Sequence, residues 1–318
     1  MKKLSVLFLG LISASLIVGC SIPAKITSPS NSSMSISNPI GWRLANLSSQ
    51  KYDLQAVWGS SQSNVFAVGQ SGTILHYNGN TWSIMSSGTS NGLYAIWGSS
   101  FSNIFAVGQS GTILHYDGNT WSSMTSGTSN WLYAIWGSSS SNIFAVGQSG
   151  TILHYNGITW SIMSSGTPNC LYSVWGHSSS DVFAVGTDGI ILEYNGRAWN
   201  TMSSGTPDWL CAVWGISSSD IFAVGKEYDI NGDSGDIILQ YNGKEWSTMT
   251  SGTTNDLSDI WGSSEFNIFA VGTGGTILFY DGNTWNNITS GTTNDFDGIW
   301  GNSSSDVFVV GRGSTILH

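Results

Sequence analysis

From about residue 41 to His318, short apolar runs alternate with clusters of Gly, Ser, Asn and Thr. In one representative stretch the runs are Leu93–Trp97, Ile104–Val107, Thr112–Tyr116 and Thr120–Met124. Each is short, enriched in β-branched and aromatic residues, and bounded by turn-forming residues, which predicts four strands. Between them lie Gly98-Ser99-Ser100, Gly108-Gln109-Ser110-Gly111, Asp117-Gly118-Asn119 and a longer Ser126-Gly127-Thr128-Ser129-Asn130. Asp-Gly and Asn-Gly between apolar runs predict tight hairpins with both central residues at positive φ. Successive strands are therefore expected to pair antiparallel.

The same four runs recur. A Trp-Gly dipeptide marks each recurrence, at Trp58, Trp97, Trp136, Trp175, Trp214, Trp261 and Trp300, with spacings of 39, 39, 39, 39, 47 and 39 residues. A unit of about 40 residues is too small to bury its own core and must stack on neighbours. Four antiparallel strands per unit, seven times over, is the pattern of a seven-bladed β-propeller in an all-β chain. The ends favour a closed ring over a linear solenoid. Gly41-Trp42-Arg43-Leu44 matches a fourth strand (compare Thr81-Trp82-Ser83), whereas the chain finishes on a third strand, Thr315–His318. The first strand thus supplies what the last blade lacks and leaves no open sheet edge.

This blade pattern, over residues 41–318, resembles bacterial propellers of the YVTN/BNR-like and WD-repeat-like group, which includes photosystem II assembly-factor and sialidase-type propellers. Asp117-Gly118-Asn119-Thr120-Trp121 is similar to the sialidase-type Asp-box but one residue shorter. A shared fold alone assigns no activity.

Ahead of the repeats, Lys2 and Lys3 precede an apolar run from Leu4 to Val18, the layout of an export signal and too short to span a membrane. Ile17-Val18-Gly19-Cys20 resembles the lipobox of bacterial lipoproteins, which implies cleavage after residue 19 and a lipid on Cys20. Residues 20–40, rich in Ser, Pro and Asn, are expected to act as a tether. The expected layout is a signal peptide over 1–19, a tether over 20–40 and a propeller over 41–318. The predicted location is the cell envelope, at the outer membrane in a Gram-negative cell, with the membrane reached only through the lipid.

Charged residues make up 9% of the chain, and the formal net charge of −10 becomes −12 once Lys2 and Lys3 leave with the signal. Nucleic acid is excluded as a partner, since phosphate backbones demand basic patches. A monomeric domain with a Ser-, Thr- and Asn-rich surface is expected.

Fourteen of the sixteen tryptophans recur in every blade: the Trp-Gly set, and Trp42, Trp82, Trp121, Trp160, Trp199, Trp246 and Trp285 on the fourth strand. Recurrence of this kind marks packing residues. Trp131 and Trp209 fall outside it, five residues before a Trp-Gly tryptophan, where the chain approaches the innermost strand. Through blades one to seven that position reads Asp53, Gly92, Trp131, Cys170, Trp209, Asp256 and Asp295. Two residues on, it reads Gln55, Tyr94, Tyr133, Tyr172, Cys211, Ser258 and Asp297. The candidate ligand-binding set around the channel is thus Tyr94, Trp131, Tyr133, Tyr172 and Trp209 facing Asp53, Asp256, Asp259, Asp295 and Asp297. Aromatics opposite acids suit a protein or peptide segment, a cationic one included. They also suit a carbohydrate, whose apolar face stacks on Trp. Drift among duplicated loops is the third reading.

The eight-residue excess in blade five carries Asp229, Asn231, Asp233 and Asp236. Its Asp-x-Asn-x-Asp opening has the alternate-oxygen spacing of calcium loops but lacks their closing Glu, so calcium is the one cofactor it suggests. His76, His115, His154 and His318 share one repeat position on separate blades, which argues against a metal cluster or a catalytic base. Cys170 and Cys211 are read as free thiols, with a disulfide as the alternative. A glycosidase is the enzymatic alternative, with Asp256 and Asp295 as its carboxylates. Aspartates in polar loops are not expected to have raised pKa values, and Arg43, Arg197 and Arg312 lie on separate connections. A non-catalytic binding or scaffold module is the leading expectation.

Overall fold

The computed structural model describes residues 42–45, 52–227 and 235–318. Cys20, the expected lipidation site, the residues read as signal and tether, and Asp229, Asn231 and Asp233 of the expected calcium loop lie outside them. No helix among the described residues is long and apolar enough to cross a membrane.

The chain forms seven sheets in sequence order, each an antiparallel meander. Blade one runs Leu54–Ser61, Asn64–Gly69, Ile74–Tyr77 and Trp82–Met85, and blade two Leu93–Ser100, Asn103–Gly108, Ile113–Tyr116 and Trp121–Met124. Blade seven supplies three strands of its own, Phe296–Ser303, Asp306–Gly311 and Thr315–Leu317. Its fourth comes from the beginning of the domain. Leu44 bridges Leu317 antiparallel, Arg43 and His318 exchange backbone hydrogen bonds of 2.8 and 3.0 Å, and Ala45 N donates to Ile316 O at 2.9 Å. The innermost strand of blade one also packs on that of blade seven, closing a seven-bladed ring.

The core is divided among seven seams. Between blades one and two, Phe66, Val68 and Ile74 meet Leu93, Ile96, Ile104 and Leu114, and the seam between blades seven and one joins Phe308, Val310 and Ile316 to Leu54, Val57, Val65 and Leu75. Each second strand is flanked on both faces, so its Val/Ile-Phe-Ala-Val run (Val307-Phe308-Val309-Val310 in blade seven) is continuous rather than alternating.

The Trp-Gly dipeptide is explained across the seam. The Trp58 ring lies over Gly98 so closely that a Cβ there would sit 2.6 Å from it; Trp97 covers Gly137, Trp136 covers Gly176, and Trp300 covers Gly59 to complete the circuit. Each blade thus offers a ring to the next blade and a bare backbone to the previous one.

Two local expectations are corrected. Gly98-Ser99-Ser100 is not a turn, because the first strand continues to Ser100, with Gly98 opposite Ile104, Ser100 opposite Asn103 and a bulge between. In the turn at Asp117-Gly118, only the glycine has positive φ, at 98°. Asp117 acts through its side chain instead, with Oδ1 accepting the N–H groups of Asn119 and Thr120 at 2.9 Å each.

Candidate functional site

A second bulge, near the start of every first strand, builds the channel wall. In blade two Leu93 pairs with Gly108 and Ala95 with Val107, leaving Tyr94 unopposed. The residues at this place in the other blades are Gln55, Tyr133, Tyr172, Cys211, Ser258 and Asp297. A bulge re-aims a side chain out of the sheet alternation, and all seven residues line one central cavity of about 250 Å³. The residue before each strand is held by its own blade: the carbonyls of Trp131 and Asp295, for example, accept from Gln148 N and Arg312 N at 2.9 and 3.0 Å.

The five predicted aromatics form one continuous arc. Ring centroids are 5.7 Å apart for Trp131–Tyr94, 5.8 Å for Tyr94–Tyr133, 5.3 Å for Tyr133–Tyr172 and 6.1 Å for Tyr172–Trp209. Lys226 Nζ sits 4.7 Å from the Trp209 ring, and Trp131 is the open end, 40% exposed. Gln109 Nε2 donates to the Tyr94 hydroxyl at 2.9 Å. Burial, then the neighbouring Cys170, pushes the Tyr172 hydroxyl up to about 12. Burial pushes the Cys211 thiol up to about 11, and Cys170 and Cys211 are both free.

The acidic residues divide by role. Asp53 Oδ1 accepts Gly313 N of blade seven, and Asp295 Oδ1 accepts Gly274 N of blade six, each at 2.9 Å. Asp295 Oδ2 also pairs with Arg312 Nη1 at 3.1 Å. These two are latches between blades. Asp256 stands before the first strand of blade six, its carbonyl accepting Thr273 N at 3.0 Å. Asp259 lies inside the channel, where Oδ1 accepts Ile260 N and Oδ2 accepts Ile299 N of blade seven, both at 2.9 Å. The Asp297 carboxylate makes no hydrogen bond among the described residues, and its Oδ2 is fully buried.

Two rim aspartates other than the glycosidase candidates, Asp259 and Asp297, do have raised pKa values. Burial lifts Asp259 to about 7 against the two N–H groups that favour its charge. Burial lifts Asp297 to about 6, with Asp295 and Asp53 adding to the rise and Arg312 opposing it. The sequence places them in polar loops; the bulge and the narrow channel take them out of water.

The histidines belong to the blades. His76, His115 and His154 Nε2 meet the Oδ1 of Asn64, Asn103 and Asn142 at 2.6–2.7 Å, and His318 meets Asp306 at 2.7 Å. Their rings lie on Phe66, Phe105, Phe144 and Phe308. Burial lowers the pKa of His76, His115 and His154, which favours their neutral form. Asp236 begins the third strand of blade five, its pKa raised by burial against a hydrogen bond with Ser251. Among the described residues no cluster of His, Cys, Asp and Glu could hold a metal ion.

The seam between blades seven and one opens into a groove of about 740 Å³, lined by Ala45, Tyr52, Trp82, Ile84 and Phe308 among others. Met85, Met124, Met163, Met202 and Met249 fill the corresponding places at five other seams. Extending the match of Trp42 to Trp82 by three residues, which aligns Ala45 with Met85, would have exposed this difference.

No family model and no curated protein matches the chain. Its fold is shared with solved structures. YCF48 bound to D1 peptide aligns with a TM-score of 0.71 at 15% identity, covering 87% of this chain and 94% of that one. YCF48 from Cyanidioschyzon merolae aligns at 0.68 and 16%, covering 87% and 98%. The WD40 β-propeller domain of Doa1 aligns at 0.69 and 14%, covering 87% and 97%. The likeness is one of fold.

Proposed function

We propose that this chain is a non-catalytic binding module that takes a protein or peptide at its channel rim, held at the cell envelope by a lipid on Cys20. The observation that carries the reading is the aromatic arc from Trp131 to Trp209, whose Tyr94, Tyr133 and Tyr172 share one cavity with Asp297 and Asp259. Aromatic rings supply contact area at low entropic cost, and like-charged acids on the far side orient a partner. That YCF48 is seen with a D1 peptide supports the idea that a ring of this shape takes a peptide. Asp53 and Asp295 belong to the frame of the site rather than to its contacts.

Affinity capture from native envelope, with wild type beside Trp131→Ala/Trp209→Ala, tests the reading. A partner retained by wild type and lost from the double variant is the expected result. Glycan binding lost in the same variant would transfer the site to a carbohydrate. Turnover of a glycoside abolished by Asp256→Asn or Asp295→Asn would replace the module with an enzyme. For the anchor, Cys20→Ser is expected to move the protein from the membrane fraction to the soluble one.

A further inference from the structure

Asp297 is out of keeping with its position. The other six blades place an uncharged residue at this bulge (Gln55, Tyr94, Tyr133, Tyr172, Cys211 and Ser258), and blade seven alone places a carboxylate there. That carboxylate has no hydrogen bond among the described residues, and one of its oxygens is fully buried. Buried polar groups in native proteins are almost always satisfied, and an exception calls for a missing partner. The nearby cation, Arg312, pairs with Asp295 Oδ2 at 3.1 Å and makes no ion pair with Asp297 among the described residues. Asp259, the next acid down the channel, is saturated by Ile260 N and Ile299 N. In the Asp297 carboxylate Oδ2 is closed off, but Oδ1, which has no hydrogen bond among the described residues, is the acceptor that the channel can reach.

We infer that the partner inserts one basic side chain, lysine or arginine, into the channel between Asp297 and the Tyr94–Tyr133–Tyr172 wall. This rests on the binding-module reading above and names the group that the module recognises. Three observations converge on it. The open carboxylate supplies a charge-assisted acceptor. The same cavity is lined by the rings of Tyr94, Tyr133 and Tyr172, with successive centroids 5.8 and 5.3 Å apart, and aromatic rings attract a cation. The cavity, at about 250 Å³, falls below the roughly 300–1,000 Å³ of sites that enclose a drug-sized ligand. One side chain fits such a space while the rest of the partner stays on the rim. The chain's net charge of −10 favours a basic partner.

The test uses the intact protein and two synthetic pentapeptides, acetyl-Gly-Gly-Lys-Gly-Gly-amide and its norleucine counterpart, titrated by calorimetry. The lysine peptide is expected to bind at least ten-fold tighter. Asp297→Asn and Asp297→Ser, the second borrowing the residue of blade six, are each expected to erase that preference without lowering the thermal midpoint. Equal or absent binding of the two peptides overturns the inference, as does a preference that survives both variants. The two readings fail separately. A captured envelope partner that both Asp297 variants retain at wild-type affinity removes the basic side chain but leaves the module. A wild-type protein that captures nothing through Trp131 and Trp209 removes the module itself.

Discussion

At the scale of single residues, side chains that look alike in the repeat divide into those that hold the ring and those that face the channel. The Trp-Gly glycines hold it. At Gly176 a Cβ would sit 2.6 Å from the Trp136 ring, so Gly176→Ala is expected to cost about 1–3 kcal/mol through overpacking, read from the denaturant midpoint. Asp259 faces the channel, and its raised pKa has a definite sign. Its folded-state value of about 7 lies above the ordinary 3.8, so the folded protein keeps a proton that the unfolded chain has released. Its contribution to stability is full below the unfolded value and is lost as pH rises through the folded one. Wild-type stability should therefore fall more steeply between these two values than that of Asp259→Ala, whose alanine matches Ala56, Ala95, Ala134 and Ala212. Denaturation curves across that range check the slopes, and parallel slopes would dismiss the effect. The variable columns were legible in the sequence. Which aspartate is bonded, latched or open was not, because the donors (Gly313 N, Gly274 N and Ile299 N) belong to other blades.

Among the elements, the first and last strands of each blade carry the differences that matter. The apolar runs announced every strand, yet the bulge at Tyr94 and its equivalents is invisible as a turn signal. It shows only as buried Leu93 and Ile96 standing three apart where a flat strand would alternate. Strand four of blade seven departs from its siblings in having Ala45 where five blades have methionine. Ala45→Met should fill part of the groove beside Trp82 and Phe308 and stabilise the fold by about 0.5–2 kcal/mol. Equilibrium unfolding with an unchanged m-value would register the gain, and a loss would mean that the groove cannot accept the side chain.

As a whole molecule, the propeller distributes its core over seven seams, so its stability depends on closure more than on any one blade. The closing strand contributes the backbone bonds of Arg43, Ala45 and His318 together with the seam of Phe308 and Leu54. A permutant joined from His318 to Trp42 by a short Asn-Gly linker, and opened between Tyr116 and Trp121, moves the break to blade two while preserving twenty-eight strand segments. It is expected to unfold in one cooperative transition, as wild type should, when followed by circular dichroism and tryptophan fluorescence. Deletion of residues 41–45 is expected to lower the midpoint of that transition, since it strips the last blade of its fourth strand.

By itself the sequence determined the period, the four strands per blade, the number of blades and the split that closes the ring. These follow from local alternation and from counting, which need no knowledge of distant neighbours. Of the ten rim residues it singled out for varying where core positions do not, Tyr94, Tyr133, Tyr172, Asp259 and Asp297 line the central cavity. The tertiary structure alone decided their roles. Rings from four blades join into one arc, Asp53 and Asp295 turn into latches, and the Asp297 carboxylate has no hydrogen bond among the described residues, because burial and hydrogen bonding in a ring are settled between blades. A repeat read one unit at a time does not contain those contacts.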